Sequence, residues 1–220
     1  MTLTPAKQAL VDAFDKHVNA ELNKDLETTL ATMTPDPHIN NIPTLICGEG
    51  LAGVKQFYGS LIPEGKFFPS DTEMTVISRT IDEHQLVDEI IFKFTHDTEI
   101  GWMLPNIPPT GKRVEIPLIV IVGFDQGKVA HEHIYWDQAS VLVQIGLLNP
   151  DGLPVAGIET ANKMEALRER YYQQKWYSGT CWIGWLCGHS KRMHWQSVRF
   201  SVHLGYGRHC KCYRSKKADF

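Results

Sequence analysis

The stretch from Gly127 to Leu148, GKVAHEHIYWDQASVLVQIGLL, limits the possible folds more than any other part of the chain. An Asp125-Gln126-Gly127 turn opens it, and the residues up to Asp137 read as a strand. Side chains on a strand alternate between faces. His131, His133, Tyr135 and Asp137 therefore share one face, and Ala130, Glu132, Ile134 and Trp136 share the other. Two imidazoles, a phenol and a carboxylate on one face suit a pocket wall better than an apolar core, although a bulge would reverse the assignment. Beyond Asp137, Val141, Leu142, Ile145 and Leu148 recur at helical spacing, so the strand feeds a short closing helix.

The rest of the body supplies what such a strand would pack against. Thr4-Pro5 reads as a cap and first residue of a helix in which Leu10, Val11, Phe14, Val18 and Leu22 form one stripe. Asn23 to Met33 repeats the pattern with Leu26 and Leu30 until Pro35 and Pro37 stop it. His38 to Ile42 is a short strand. Gly48-Glu-Gly50-Leu-Ala-Gly53 has the letters of a dinucleotide fingerprint, but no βαβ alternation follows and an acid sits between the first two glycines. It reads instead as a loop leading into a helix whose core side carries Val54, Phe57, Tyr58 and Leu61. After Pro69 the texture changes to strands: Glu73–Ile81, Gln85–His96 after the Asp82-Glu-His84 turn, Val114–Phe124, and the strand described above. Helices followed by a strand meander predict an α+β fold, a curved antiparallel sheet wrapped around N-terminal helices.

A resemblance sharpens this expectation. Glu132 to Leu148, with Tyr135-Trp136-Asp137-Gln138-Ala139-Ser140 and Gln144-Ile145-Gly146-Leu147-Leu148, resembles the end of a SnoaL-like polyketide cyclase domain, a member of the nuclear-transport-factor-two-like superfamily of α+β cones. Ile107-Pro-Pro-Thr-Gly-Lys112 is similar to that family's loop before its penultimate strand. The resemblance covers roughly residues 5 to 150 and implies a cone with a pocket in its open end. It also implies cofactor-independent acid–base chemistry, a cyclisation or isomerisation of a hydrophobic, polyketide- or terpenoid-like carbonyl compound in secondary metabolism. The same cone hosts dehydratases, hydrolases and non-catalytic binding or dimerisation modules, so these stand as alternatives.

By its seven-residue spacing to Gln144, Asp137 matches the position of the general base in such cyclases. A carboxylate inside an apolar cone is poorly solvated, which raises its proton affinity; Asp is also a preferred helix cap. His133 is the candidate polariser of a developing enolate oxygen, with His131 nearer the turn. Tyr135, Phe92 and Phe94 would shape the pocket, His96 would emerge at its rim, and Trp102 would lie over a flat substrate. Asp97 departs from the family's usual residue. Glu132 resembles a glutamate common in these domains, which keeps the opposite face in play. The resemblance calls for no metal or organic cofactor. His131 and His133, two apart on a strand, can chelate, but no third ligand stands at a typical spacing.

Composition divides the chain. Residues 171–220 carry nine Lys or Arg and one acid, whereas residues 1–170 carry 13 Lys or Arg and 24 Asp or Glu. Four of the five cysteines and four of the six tryptophans lie in that basic tail. Cys187-Gly-His189 and Cys210-Lys-Cys212 have one intervening residue where zinc ribbons use two to four, and the basic, aromatic texture invites nucleic acid but lacks any module pattern. The expected organisation is a cone at 1–150, a linker helix at 151–172, and an irregular tail at 173–220 that does not join the core, with nucleic-acid binding not expected. A body with a single cysteine, no apolar run near the roughly 20 residues that span a bilayer and no leader pattern predict a soluble cytoplasmic protein. Val114, Ile116, Leu118, Val120 and Val122 face one way and Ile119 and Ile121 the other, which predicts a homodimer through the sheet's outer face. A chain ended near Tyr172 should fold and keep any activity, and loss of its cooperative thermal transition would assign the tail to the core.

Overall fold

Helix α1 (Pro5–Leu22) starts where the sequence places it: Thr4 Oγ1 accepts from the Lys7 amide at 3.4 Å and Pro5 occupies the first turn, where no N–H is needed. The computed structural model describes residues 3–179, with side chains to residue 170. The chain divides into units Met1–Lys175 and Trp176–Phe220; the fold below is that of the first, and the tail cysteines and histidines considered above lie outside the described residues. No helix among the described residues is long and apolar enough to cross a membrane.

Short helix α2 (Leu26–Ala31) is capped by Asp25, which accepts from Thr28 N at 3.0 Å, and gives way at Thr32 to β1 (Met33–Asn41). Pro35 and Pro37 thus lie inside a strand, where the sequence alone reads only a helix stop. They are tolerated because the ladder is interrupted around them. Met33 pairs with Val129 and His38 with His131, so β1 bulges over the residues that hold both prolines and asks no N–H of them. β2 (Ile46–Glu49) then pairs back on β1 from His38 to Asn41.

Helix α3 (Gly50–Leu61) follows directly and buries Val54, Phe57, Tyr58 and Leu61. The glycines before it serve close packing rather than phosphate binding. A Cβ on Gly48 would stand 2.8 Å from the Gly53 carbonyl oxygen, so only glycine lets the strand pass under the helix start.

The remaining strands are β3 (Glu73–Ile81), β4 (Gln85–Thr95), β5 (Arg113–Asp125) and β6 (Lys128–Trp136). The hairpin between β5 and β6 turns through Gln126 and Gly127, both at positive φ (49° and 75°), as a two-residue connection of right-twisted strands requires. The six strands form one sheet in the order β2-β1-β6-β5-β4-β3. It is mixed rather than wholly antiparallel, since β1 runs parallel to β6 while every other pairing is antiparallel. A parallel pair needs a long crossover, and the chain from β2 through α3 to β5 provides it.

Register fixes the faces. Phe92 pairs with Ile116, Ile90 with Leu118, Leu118 with Trp136, and Val122 with Glu132; these residues point inward. Against them pack the stripe of α1, the core side of α3, and the segment after β4, where Ile100, Trp102, Met103 and Leu104 are buried. Helix α4 (Gln138–Gln144) closes the joint after β6. Its last residue, Gln144, accepts from Glu115 N at 2.9 Å and donates to Glu115 O at 3.0 Å, extending the β5 ladder where β6 has ended. Helix α5 (Glu159–Gly179) follows, and its Glu165 pairs with Lys93 of β4 at 2.7 Å.

Gly48→Ala tests the close crossing. It should destabilise the fold by about 1–3 kcal/mol, the usual cost of forcing an extra carbon into a packed contact, read as a lower denaturant midpoint at unchanged slope.

Candidate functional site

Each sequence-derived site residue has a definite place. Asp137 is exposed and caps α4, accepting from Ala139 N at 2.9 Å and Ser140 N at 3.2 Å. The poorly solvated carboxylate expected at that position is not what its surroundings provide. His131 and His133 are half-buried and Tyr135 is exposed, all on the sheet's outer face, where Ile121 pairs with His133 and Ile119 with Tyr135. The closest polar partner of His133 is His38 Nε2 on β1, at 3.0 Å.

Phe92, Phe94, Trp102 and His96 lie on the inner side and are all buried. Trp102 donates through Nε1 to Phe67 O at 2.7 Å and packs edge-on against Trp136 at 5.3 Å, so it fills the cone rather than covering its mouth. His96 Nδ1 meets Thr110 Oγ1 at 3.1 Å, while its Nε2 is buried without a hydrogen-bond partner. Burial holds His96 below the ordinary imidazole value, so it stays uncharged.

The inner face also carries a polar cluster that the sequence reading did not assemble. His17 and Glu21 of α1, Tyr58 of α3 and Glu132 of β6 are all buried and converge on one point. Tyr58 donates its hydroxyl to Glu21 Oε1 at 2.6 Å. His17 Nε2 lies 2.8 Å from Glu132 Oε1, 3.2 Å from the Tyr58 oxygen and 3.4 Å from Glu21 Oε1. On the other edge of the ring, Thr32 Oγ1 donates to Thr29 O at 2.6 Å, so its oxygen accepts from His17 Nδ1–H at 2.6 Å. With Nδ1 donating and carboxylates facing Nε2, His17 is an imidazolium. Burial alone would lower its pKa, but Glu132 and then Glu21 outweigh it and push it up to about 10. The Nε2–H is aligned on Tyr58, which leaves Glu132 Oε1 in charge contact but without an aligned donor. Burial also raises the Glu21 carboxyl above its usual range, against the pull of His17, and it keeps Tyr58 protonated.

One nitrogen and two carboxylate oxygens of His17, Glu21 and Glu132 lie within 4.8 Å of one another, so this cluster has the donors for a cation. In the arrangement seen, the imidazolium already supplies the positive charge. Glu21 also reaches the wall of a cleft of about 280 Å³, lined further by Leu22, Lys24, Phe67, Phe68 and Thr72. Thr72 Oγ1 is buried there without a partner, and the Lys24 ammonium stands over Gly65 at the cleft's edge.

A signal for the missed pair was present. Leu10, Phe14, His17 and Glu21 follow the three- and four-residue spacing of the α1 stripe, so His17 and Glu21 belong to its buried side. Tyr58 falls on the core side of α3 by spacing, and Glu132 on the face of β6 opposite the histidines, so neither position by itself points to the other.

Stability should therefore fall on the alkaline side. The folded pKa of His17, about 10 against an ordinary 6.5, contributes stability that is complete below 6.5 and lost as pH rises toward 10. Glu21, raised in the same direction, adds a loss of the same sign as pH climbs past the ordinary carboxylate range. The unfolding free energy should decline steadily from pH 6.5 to 10, by at most about 1.4 kcal/mol per pH unit for one proton, and the melting temperature should fall with it. His17→Gln should flatten that decline, and a wild-type curve without it would show that the proton is not held on His17.

No family model matches the sequence, and no curated protein matches it either. Solved structures do. A protein from Jannaschia sp. CCS1 assigned as a SnoaL-like polyketide cyclase superimposes with a TM-score of 0.56 at 18% identity, over 68% of this chain and 99% of its own. AclR from Streptomyces galilaeus, assigned as a hydroxylase, gives 0.50 at 22% identity over 65% and 88%. An NTF2-like protein of unknown function from Burkholderia pseudomallei gives 0.48 at 14% identity over 62% and 97%. With its helices inside a curved six-stranded sheet, the body of this chain has the SnoaL-like, nuclear-transport-factor-two-like α+β cone fold.

Proposed function

We propose that the chain is a cofactor-independent acid–base catalyst of cyclisation or isomerisation, and that Glu21, not Asp137, handles the proton at the ligand. One observation carries this: Glu21 belongs at once to the buried His17–Tyr58–Glu132 network and to the wall of the cleft. Its raised pKa supports the role, because a carboxyl with increased proton affinity is a stronger base when ionised and an acid nearer neutral pH when protonated. Tyr58 and His17 spread the charge that proton transfer creates, and Glu132 balances the imidazolium.

The cleft lining describes the ligand. Leu22, Ile62, Phe67, Phe68 and Pro69 favour a flat, hydrophobic skeleton such as an aromatic polyketide. Lys24 and the unpartnered Thr72 hydroxyl favour a carbonyl or phenolic oxygen that gains negative charge as the carbon acid loses its proton. The likeness to a protein assigned as a polyketide cyclase agrees with this class.

A second reading rests on how fully Trp102, Met103, Phe92 and Phe94 occupy the cone. With so little interior space, the same cleft would serve a non-catalytic binding module.

Deuterium incorporation separates the two. Full-length protein is mixed in D2O with a series of polycyclic aromatic β-ketoesters, and exchange at the carbon between the carbonyls is followed by NMR. Wild type should accelerate exchange, and Glu21→Gln, which keeps the size and can still accept from Tyr58, should lose about 10²- to 10⁴-fold. Asp137→Asn should retain the rate, since Asn still caps α4. The opposite pattern would return the base to Asp137, and ligand binding without exchange would favour the module.

A further inference from the structure

The sequence holds a two-histidine arm, His131 and His133 on β6, that lacks a third ligand. The fold brings a further imidazole, His38, from a distant part of the chain. β1 lies beside β6 in parallel register, with His38 opposite His131 and Asn40 opposite His133. All three imidazoles lie together on the outer face, with ring centroids 5.0 Å apart for His38 and His131, 5.2 Å for His38 and His133, and 4.7 Å for His131 and His133.

We infer that His38 and His133 form a two-imidazole clamp for a borderline transition-metal cation, Zn²⁺, Ni²⁺ or Cu²⁺, with the His131 ring stacked beside it. Their Nε2 atoms are 3.0 Å apart. Two imidazoles bound to one ion at roughly 2.0–2.1 Å, at angles between square and tetrahedral, place their nitrogens about 2.8–3.4 Å apart. The observed spacing is the bite of such a clamp. Neutral imidazoles suit zinc, nickel and copper rather than magnesium or calcium, which take oxygen ligands.

Two features of the fold prepare the site. The donors sit on adjacent hydrogen-bonded strands, so their spacing is set by the sheet rather than by loops. The His131 ring lies across Gly123 of β5, where a Cβ would come within 2.1 Å of its Cε1 and 2.4 Å of its Nδ1. Glycine at that position on β5 therefore gives His131 its place beside the pair. The site lies on the opposite face of β6 from Glu132, so it is separate from the acid–base cluster and does not rest on it.

The same 3.0 Å contact could be an N–H···N hydrogen bond between neutral rings, and metal titration decides between them. Chelator-treated full-length protein is titrated with Zn²⁺ and Ni²⁺ by calorimetry and with Co²⁺ by absorption. Wild type should bind one equivalent that His38→Gln and His133→Gln each weaken at least about tenfold, the lower end of what even outer-shell substitutions cost metal sites. The Co²⁺ spectrum should lack the near-ultraviolet sulfur charge-transfer band that cysteine ligation produces. Unchanged binding by the His38→Gln/His133→Gln double variant, a thiolate band, or no uptake by wild type would each overturn the proposal, the last leaving a hydrogen-bonded pair only. Should the variants fail to fold, paramagnetic Ni²⁺ on wild type must broaden the amide signals of β1 and β6 around residues 38 and 131–133, and broadening centred elsewhere would overturn it equally.

Discussion

The alternation of β6 is the constraint on which both sites depend. Trp136 is anchored inward against Trp102, and its Nε1 donates to Gln138 Oε1 at 2.6 Å, while Gln138 donates to Met103 O at 2.9 Å. With Trp136 inside, a strand of period two sends Ile134 and Glu132 inward and Tyr135, His133 and His131 outward. A shift of one residue would bury two imidazoles against α1 and expose Glu132. The paired aromatics at the end of the strand therefore decide which titratable groups are kept from water.

Glu132 inside the cone is costly unless compensated, since an unpaired buried carboxylate loses most of its hydration. Compensation comes from helices, not from the sheet. α1 supplies the His17 imidazolium and α3 supplies Tyr58, while Thr32, at the junction of α2 and β1, orients the imidazole through Nδ1. The cluster thus ties α1, α2, α3 and β6 together, and the wall of the adjoining cleft is one of its own members. An arrangement with two carboxylates around one imidazolium keeps an excess acidic group in a poorly solvated place, which is where proton affinities shift most.

The run that carries the family resemblance has a structural role at the end of the sheet. Asp137 caps α4, Gln138 joins β6 to the segment at 102–104, and Gln144 continues the edge of β5. These residues build the corner that closes the cone. They mark the fold well because the corner needs them whatever the reaction is. They say less about chemistry, because a cap and a ladder extension are needed whatever the cone holds.

Local rules, acting within a few residues, made much of the architecture legible in the sequence. The Thr4-Pro5 start, the Gln126-Gly127 turn, the helical spacing after Asp137 and the inward row Val114 to Val122 all follow from backbone preference and side-chain period. The same rules miscast Pro35 and Pro37, because the tolerance of a proline depends on whether a neighbouring strand asks for its N–H. They also predict a wholly antiparallel sheet, whereas β1 runs parallel to β6, since direction is decided by a crossover and not by composition. Only the tertiary structure chose which face of β6 looks inward, brought His17, Glu21 and Tyr58 to Glu132, and set His38 beside His133. Each of those contacts joins residues far apart in the chain, and no periodicity along one segment carries information about what another segment places opposite it.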